Sequence, residues 1–174
     1  MLFVAATGFA QQTYYWVGGT AGVWSNAASW NTTRGGGVGG SIRNTPNVDD
    51  ILIFDGKSVA TGSFASSGVS ASPTDLSEET IASLILIANE AGSSAGRVIT
   101  VTLPTGTKTL TVTNDLLISY SAVLKDGGNT IKVGGNVISG IFNANTTSTS
   151  AITHAGVGKI ELTGTNSSSQ SVFH

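Results

Sequence analysis

The feature that most constrains the fold is a short apolar pattern that occurs twice with the same spacing. The segment Thr109–Ile118 aligns with Thr130–Ser139, and the offset of roughly 21 residues is typical of repeat folds. In each copy an apolar-x-apolar strand is followed by a short corner and a second apolar strand. One such coil cannot bury its inward side chains until a neighbouring coil stacks on it. The pattern therefore predicts an all-β solenoid, with a β-sandwich as the alternative.

The composition agrees with stacked short strands. Only 10% of the 174 residues are charged, against about 25% in ordinary soluble domains, and 23 residues are glycine. Threonine and valine favour a pleated backbone, while glycine and asparagine accept the positive φ of tight corners. We expect one β-helical domain over residues 11–174, with a cap region at 14–56 and coils over 81–174.

Charge and cysteine content exclude several functional classes. The formal net charge is −2 and the eight Lys and Arg residues are scattered, which argues against a nucleic-acid partner. The chain has no cysteine, so disulfides, thiolate metal sites and a catalytic thiol are ruled out. The only histidines, His154 and His174, are too few for a metal site built on imidazole.

The first ten residues, MLFVAATGFA, form an apolar run that ends in small residues. The run is too short to span a bilayer and is typical of the apolar part and cleavage site of a secretory signal peptide. It lacks the usual basic flank, so we expect residues 1–10 to be a partial signal peptide whose start lies upstream. The alternative is a buried first strand. A signal peptide would direct the protein out of the cell or to a bacterial cell surface, with no membrane span.

The cap region holds all three tryptophans and a glycine-rich loop. It reads WVGGTAGVWSNAASW over Trp16–Trp30, continues through Gly35–Gly40 and ends with PNVDDILIFD at Pro46–Asp55. This pattern resembles the N-terminal segment of large secreted proteins of gliding and related Bacteroidetes, and similar openings occur in autotransporter-like adhesins. The resemblance implies the start of a right-handed parallel β-helix on a protein exported to the cell surface.

The tryptophans allow two interpretations. The open end of a solenoid exposes apolar side chains and unpaired backbone groups, so Trp16, Trp24 and Trp30 are suited to plug that end. Exposed indoles can instead stack on sugar rings, which would make the same three residues a ligand-binding platform for surface glycans. Since aromatic side chains mainly serve burial, the cap is the leading interpretation.

Three carboxylates, Asp49, Asp50 and Asp55, flank the apolar segment Ile51–Phe54. Carboxylate oxygens are the ligands that calcium prefers, so these residues form a candidate metal site. They lack the dense D-x-D-x-D-G spacing of a calcium loop, and aspartate often bonds its own backbone at turns. Turn or backbone capping is the leading interpretation, and calcium is the only cofactor considered.

The remaining chain divides into a weakly patterned segment and a regular one. Lys57–Asp75 is rich in Ser, Ala and Gly and is expected to be a loop or an irregular coil. Asn114 lies about one coil before Asn136, which predicts an amide ladder at a corner. From residue 81 onwards the apolar pattern predicts these strands: Leu84–Ile87, Val98–Leu103, Thr109–Val112, Leu116–Ile118, Val123–Leu124, Ile131–Val133, Val137–Ile138, Ile141–Phe142, Ile152 and Lys159–Leu162.

Two sequence patterns imitate enzyme motifs without their structural setting. Gly35–Gly40 fits G-x-G-x-x-G, but no buried strand precedes it and no helix follows. Gly92–Gly96 fits G-x-S-x-G, but the segment after it has the pattern of a strand rather than the helix that a nucleophile elbow requires. No catalytic residue is assigned, and whether the protein is an enzyme stays undecided.

These observations predict a secreted or cell-surface β-helix that serves as a scaffold in a longer, adhesin-like protein, with a structural or interaction role. The alternative is a β-helix that binds or cleaves polysaccharides. The expected partners are surface glycans or other cell-surface proteins.

Overall fold

The computed structural model describes residues 10–60, 68–88, 98–119, 121–141, 151–153, 158–164 and 172–173. These residues form short strands, a 3₁₀ turn at Ala27–Ser29 and a single-turn helix α1 (Gly56–Val59). The strands are β1 (Thr13–Trp16), β2 (Trp30–Asn31), β3 (Ile51–Asp55), β4 (Val69–Ala71), β5 (Glu79–Ile81), β6 (Ser83–Ile87), β7 (Ile99–Thr102), β8 (Thr109–Val112), β9 (Leu116–Ser119), β10 (Ala122–Lys125), β11 (Thr130–Val133), β12 (Val137–Ile141), β13 (Ala151–Thr153), β14 (Lys159–Leu162) and β15 (Val172–Phe173). The all-β class predicted from the sequence is confirmed.

The strands form three sheets that the chain enters in a fixed order. Sheet 1 has the strand order β15-β12-β9-β6-β3-β1-β2, sheet 2 has β13-β10-β7-β4, and sheet 3 has β14-β11-β8-β5. Each of the strands β3 to β12 pairs in parallel with the strand three places later in the chain. Between named strands of the described residues, the one antiparallel pairing joins β1 to β2 at the end of sheet 1. An antiparallel β-sandwich does not fit these pairings.

The offset between the two copies of the sequence pattern equals the offset between paired residues of neighbouring strands. Leu110 pairs with Ile131 in sheet 3, and Leu116 pairs with Val137 in sheet 1. Both pairs have the same offset as the two aligned copies of the pattern. Hydrophobic side chains at these positions are buried, and the intervening positions on the same strands are more exposed. The two copies therefore lie one above the other, with their apolar residues on the core side.

The spacing is not constant along the chain, contrary to the uniform period that the two copies suggest. Leu52 pairs with Leu84 and Leu84 pairs with Leu116, and each of these steps along the chain is longer than the step from Leu116 to Val137. The difference arises between sheets 1 and 2. The whole segment 88–98 connects β6 to β7, whereas only positions 120 and 121 connect β9 to β10. β7, which follows the longer connection, still pairs in parallel with β4 and with β10.

The strands predicted after residue 81 are present, with end points that differ by one or two residues for most of them. Residue 141 continues β12 after a register irregularity rather than starting a separate strand. The expectation of a loop over Lys57–Asp75 was wrong in part, because this segment contributes α1 and β4. Ala71 of β4 is fully buried and Leu76 is 6% exposed, so small or isolated apolar residues supply this part of the core.

Candidate functional site

An aromatic cluster closes the core at the β1–β2 end of sheet 1. We call it the Trp cap, and it consists of Trp16, Trp24, Trp30 and Phe54. The ring centroids of Trp16 and Trp30 are 5.0 Å apart and those of Trp24 and Trp30 are 5.1 Å apart, both in edge-to-face geometry. Phe54 lies 5.2 Å from Trp16 and 5.3 Å from Trp30. Such contacts stabilise aromatic pairs beyond the burial of their surface.

Each indole N–H of the Trp cap has a partner inside the protein. Trp16 donates to the Gly19 carbonyl at 2.8 Å, Trp30 donates to the Trp24 carbonyl at 2.9 Å, and Trp24 donates to the Glu79 carboxylate. None of the three side chains is more than 1% exposed. Stacking on a sugar needs an open ring face, so the structure places these residues in the core rather than on a ligand platform.

Close packing against Trp16 accounts for two glycines of the W-x-G-G-x-x-G-x-W pattern. A Cβ atom at Gly18 would lie 2.7 Å from the Trp16 ring, and one at Gly22 would lie 2.7 Å from the Gly18 backbone and 2.9 Å from the same ring. Real Cβ atoms essentially never approach this closely. The spacing of the sequence pattern is therefore a packing requirement of the cap.

A buried ion network joins the Trp cap to β3 and β5. Arg43, 3% exposed, donates from Nε to Asp50 Oδ2 at 2.7 Å and from Nη2 to Glu79 Oε2 at 2.9 Å. Burial acts to lower the pKa of Arg43, but the hydrogen bonds and charges of Glu79 and Asp50 outweigh it and raise this pKa. We call Arg43, Asp50 and Glu79 the ion network; Arg43 was not singled out by the sequence.

Glu79 joins this network from a position that faces the core. In sheet 3 it pairs with Leu110, which in turn pairs with Ile131. Glu79 thus occupies the inward column whose later members are apolar. The burial of its carboxylate is tolerated because Arg43 and the Trp24 indole donate hydrogen bonds to it. In the sequence, the signal for this site is an acidic residue at a position that is apolar in later strands. It can be recognised only once the pairing of the strands is known.

The three predicted metal ligands do not form one site. Asp50 belongs to the ion network, and Asp49 is exposed. Asp55 caps α1, accepting from the backbone N–H groups of Lys57 and Ser58 at 2.8 Å each, and its other oxygen accepts from Arg34 Nε at 2.7 Å. The described residues contain no group of three or more His, Cys, Asp or Glu side chains arranged to hold a metal. Asp50 therefore forms an ion pair, and Asp55 both caps a helix and forms an ion pair.

Beside the ion network, a cleft of about 320 Å³ opens at the start of β1. We call it the end cleft. Its walls come from the residues before and within β1 and from the segment 42–50, and its lining includes Gln12, Tyr14, Asn44, Thr45 and Asn47. Tyr14 is 8% exposed, and burial, followed by the negative charge of Asp50, raises the pKa of its phenol.

The prediction of an amide ladder through Asn114 was wrong, because the Asn114 side chain is exposed and Asp115 makes the side-chain hydrogen bonds at this corner. Asp115 Oδ1 accepts from the Asn136 backbone N–H at 2.7 Å and from its side-chain amide at 3.3 Å. The ladder therefore joins a carboxylate to an amide across one coil. The Asn114 backbone carbonyl accepts from the Gly135 N–H at 2.8 Å, which continues the pairing around the corner.

Several sequence predictions fall outside the described residues: all but the last residue of the signal peptide predicted over residues 1–10, the G-x-S-x-G segment Gly92–Gly96, His154 and His174. Among the described residues, no helix is long and apolar enough to cross a membrane. Comparisons with known protein families, curated proteins and solved structures found no match to the chain.

Proposed function

We propose that the three sheets are the faces of a right-handed parallel β-helix closed at its N-terminal end by the Trp cap. The observation that carries this proposal is that the strands follow one another through sheets 1, 2 and 3 in a fixed order, with every strand from β3 to β12 paired to the third strand after it. Parallel crossover connections are right-handed in about 98% of cases, which supports the handedness. The inward columns, such as Leu52–Leu84–Leu116–Val137, supply the continuous core that stacked coils need.

The β-helix serves as a structural scaffold in a secreted or cell-surface, adhesin-like protein. Its outward positions support that role in sheets 2 and 3, where short polar side chains dominate, as at Ser70 and Thr100 in sheet 2 and at Thr80 and Thr111 in sheet 3. Hydroxyl groups on these outer faces bond to water, so the β-helix stays soluble although it carries few charges. The apolar start of the chain and its resemblance to exported Bacteroidetes proteins support the location.

The location is tested in cells that express the full-length gene. An antibody raised against residues 10–60 should label intact cells, and external protease should remove the signal while a cytoplasmic marker protein stays intact. Deletion of the apolar start should trap the protein inside the cell. Antibody signal found only after lysis, in the cytoplasmic fraction, would contradict the proposal.

A further inference from the structure

We infer that the end cleft is a binding site for an uncharged saccharide. This goes beyond the scaffold function, because a stack of coils needs no ligand at its end. It also moves glycan recognition away from the tryptophans, whose ring faces are buried. The cleft volume of about 320 Å³ lies at the small end of the roughly 300–1,000 Å³ range of ligand sites.

Three polar side chains of the lining are uncharged and available. Gln12, Asn44 and Thr45 are exposed, and their side chains form no hydrogen bond with any other residue that the structure describes. Two primary amides and a hydroxyl provide both donors and acceptors. Sugar hydroxyls also donate and accept, so this set is chemically matched to a polyhydroxylated ligand.

The charged groups of the ion network next to the cleft are one cation and two carboxylates, which are bound to one another. Asp50 lines the cleft, but its Oδ2 accepts from Arg43 at 2.7 Å and from the Asn47 backbone N–H at 2.9 Å. Arg43 in turn is held by Glu79. Among the described residues, the lining of the cleft contains no Lys or Arg side chain, so an anionic ligand would find no cation there. The cleft therefore favours a neutral sugar over a uronate or a phosphate.

The wall that carries Asn44 and Asn47 is fixed before a ligand arrives. The Asp50 N–H donates to the Asn47 carbonyl at 3.1 Å, the Asp49 N–H donates to Asn47 Oδ1 at 3.0 Å, and the Arg43 N–H donates to the Ala27 carbonyl at 3.3 Å. A wall held in place loses little conformational entropy on binding, which favours affinity for a small ligand.

The test is an NMR titration of the full chain with cellobiose, maltose and N,N′-diacetylchitobiose, with digalacturonic acid as the anionic comparison. At least one neutral disaccharide should shift the backbone amides of Asn44, Thr45 and Asn47, and digalacturonic acid should not. Asn44→Ala and Gln12→Ala should each weaken binding about three- to tenfold, as expected for the loss of one neutral hydrogen bond. Asn114→Ala removes an exposed amide that lies outside the cleft lining, two strand layers beyond Asp50 at the same corner, and should leave binding unchanged.

Four results would overturn the inference: no shift with any neutral disaccharide at millimolar concentration, shifts confined to other parts of the chain, a response to digalacturonic acid alone, or equal binding by the Asn44→Ala and Asn114→Ala variants. Amide spectra of each variant establish that it is folded. Because the coils persist in all these cases, failure of this test leaves the scaffold proposal standing.

Discussion

At the scale of single residues, Arg43 is the side chain on which the cap depends most. It is the cation between two carboxylates that are themselves almost fully enclosed, with side-chain exposures of 2% for Asp50 and 10% for Glu79. Removal of one member of a buried ion network leaves the others uncompensated. We predict that Arg43→Met lowers the free energy of unfolding by about 3–5 kcal/mol in urea denaturation. Arg43→Lys should also be destabilising, because one ammonium group cannot reproduce the forked geometry.

Lys132→Met is the matched control for this prediction. The Lys132 side chain is 44% exposed on the outer face of sheet 3, and its Nζ lies 4.0 Å from Glu161 Oε2. Its replacement should change the free energy of unfolding by no more than about 0.5 kcal/mol. Equal costs for Arg43→Met and Lys132→Met would mean that the ion network contributes nothing to the cap.

Tyr14 gives the fold a dependence on alkaline pH. Burial raises the pKa of its phenol above the ordinary value of 10.0, so the folded state favours the neutral form. Stability from this group is fully present below the unfolded-state pKa and is lost as the pH rises through the folded-state pKa. Above about pH 10, the unfolding free energy of the wild type should therefore fall more steeply than that of Tyr14→Phe. Identical slopes for the two proteins would show that Tyr14 is not held neutral by its surroundings.

At the scale of elements, corners keep successive strands in register. The corner after β8 uses Asp115, whose Oδ1 receives two hydrogen bonds from Asn136 in the next coil. Asp115→Ala should cost about 1–2 kcal/mol in thermal or urea unfolding, because it leaves the partly buried Asn136 backbone N–H without its acceptor. Asp115→Asn retains an oxygen at that position and should cost less. A smaller loss for the alanine variant than for the asparagine variant would argue against the ladder.

The elements also show how far sequence reasoning reaches. The strands of sheets 1 and 3 could be predicted because residues such as Leu110 and Val112 alternate with polar residues and recur one coil later. β4 and α1 could not be predicted, because a buried Ala71 or Ser58 has no apolar periodicity to reveal it. Asp55 was correctly expected to cap backbone N–H groups, since this preference is local.

The ion network could not be predicted because it depends on contacts between distant residues. Arg43 and Glu79 are 36 positions apart, and Trp24 and Glu79 are 55 apart. The sequence shows Arg43 as one of a few scattered cations and Glu79 as one of two consecutive glutamates. Only the pairing of Glu79 with Leu110 turns this carboxylate towards the core. Similarly, the end cleft joins residues of β1 to the segment 42–50, which local patterns do not connect.

At the scale of the whole molecule, the proposed β-helix requires that coils stack in a defined register. The inward columns and the Trp cap bury most of the large apolar side chains of the described residues. Stability should then depend on contacts between neighbouring coils more than on any single coil. The register between β8, β11 and β14 is the most direct expression of this arrangement.

Cysteine cross-linking measures that register in a chain that has no cysteine of its own. Thr111 pairs with Lys132, and Lys132 pairs with Glu161, at outward positions of adjacent strands. Adjacent strands are about 4.8 Å apart, within the roughly 4.4–6.8 Å Cα range of a disulfide, whereas strands two places apart are roughly 9 to 10 Å apart and beyond it. Under mild oxidation, Thr111→Cys with Lys132→Cys should form an intramolecular disulfide while Thr111→Cys with Glu161→Cys should not. Failure of the first pair to cross-link in folded protein, or equal cross-linking of both pairs, would contradict the stacked-coil account.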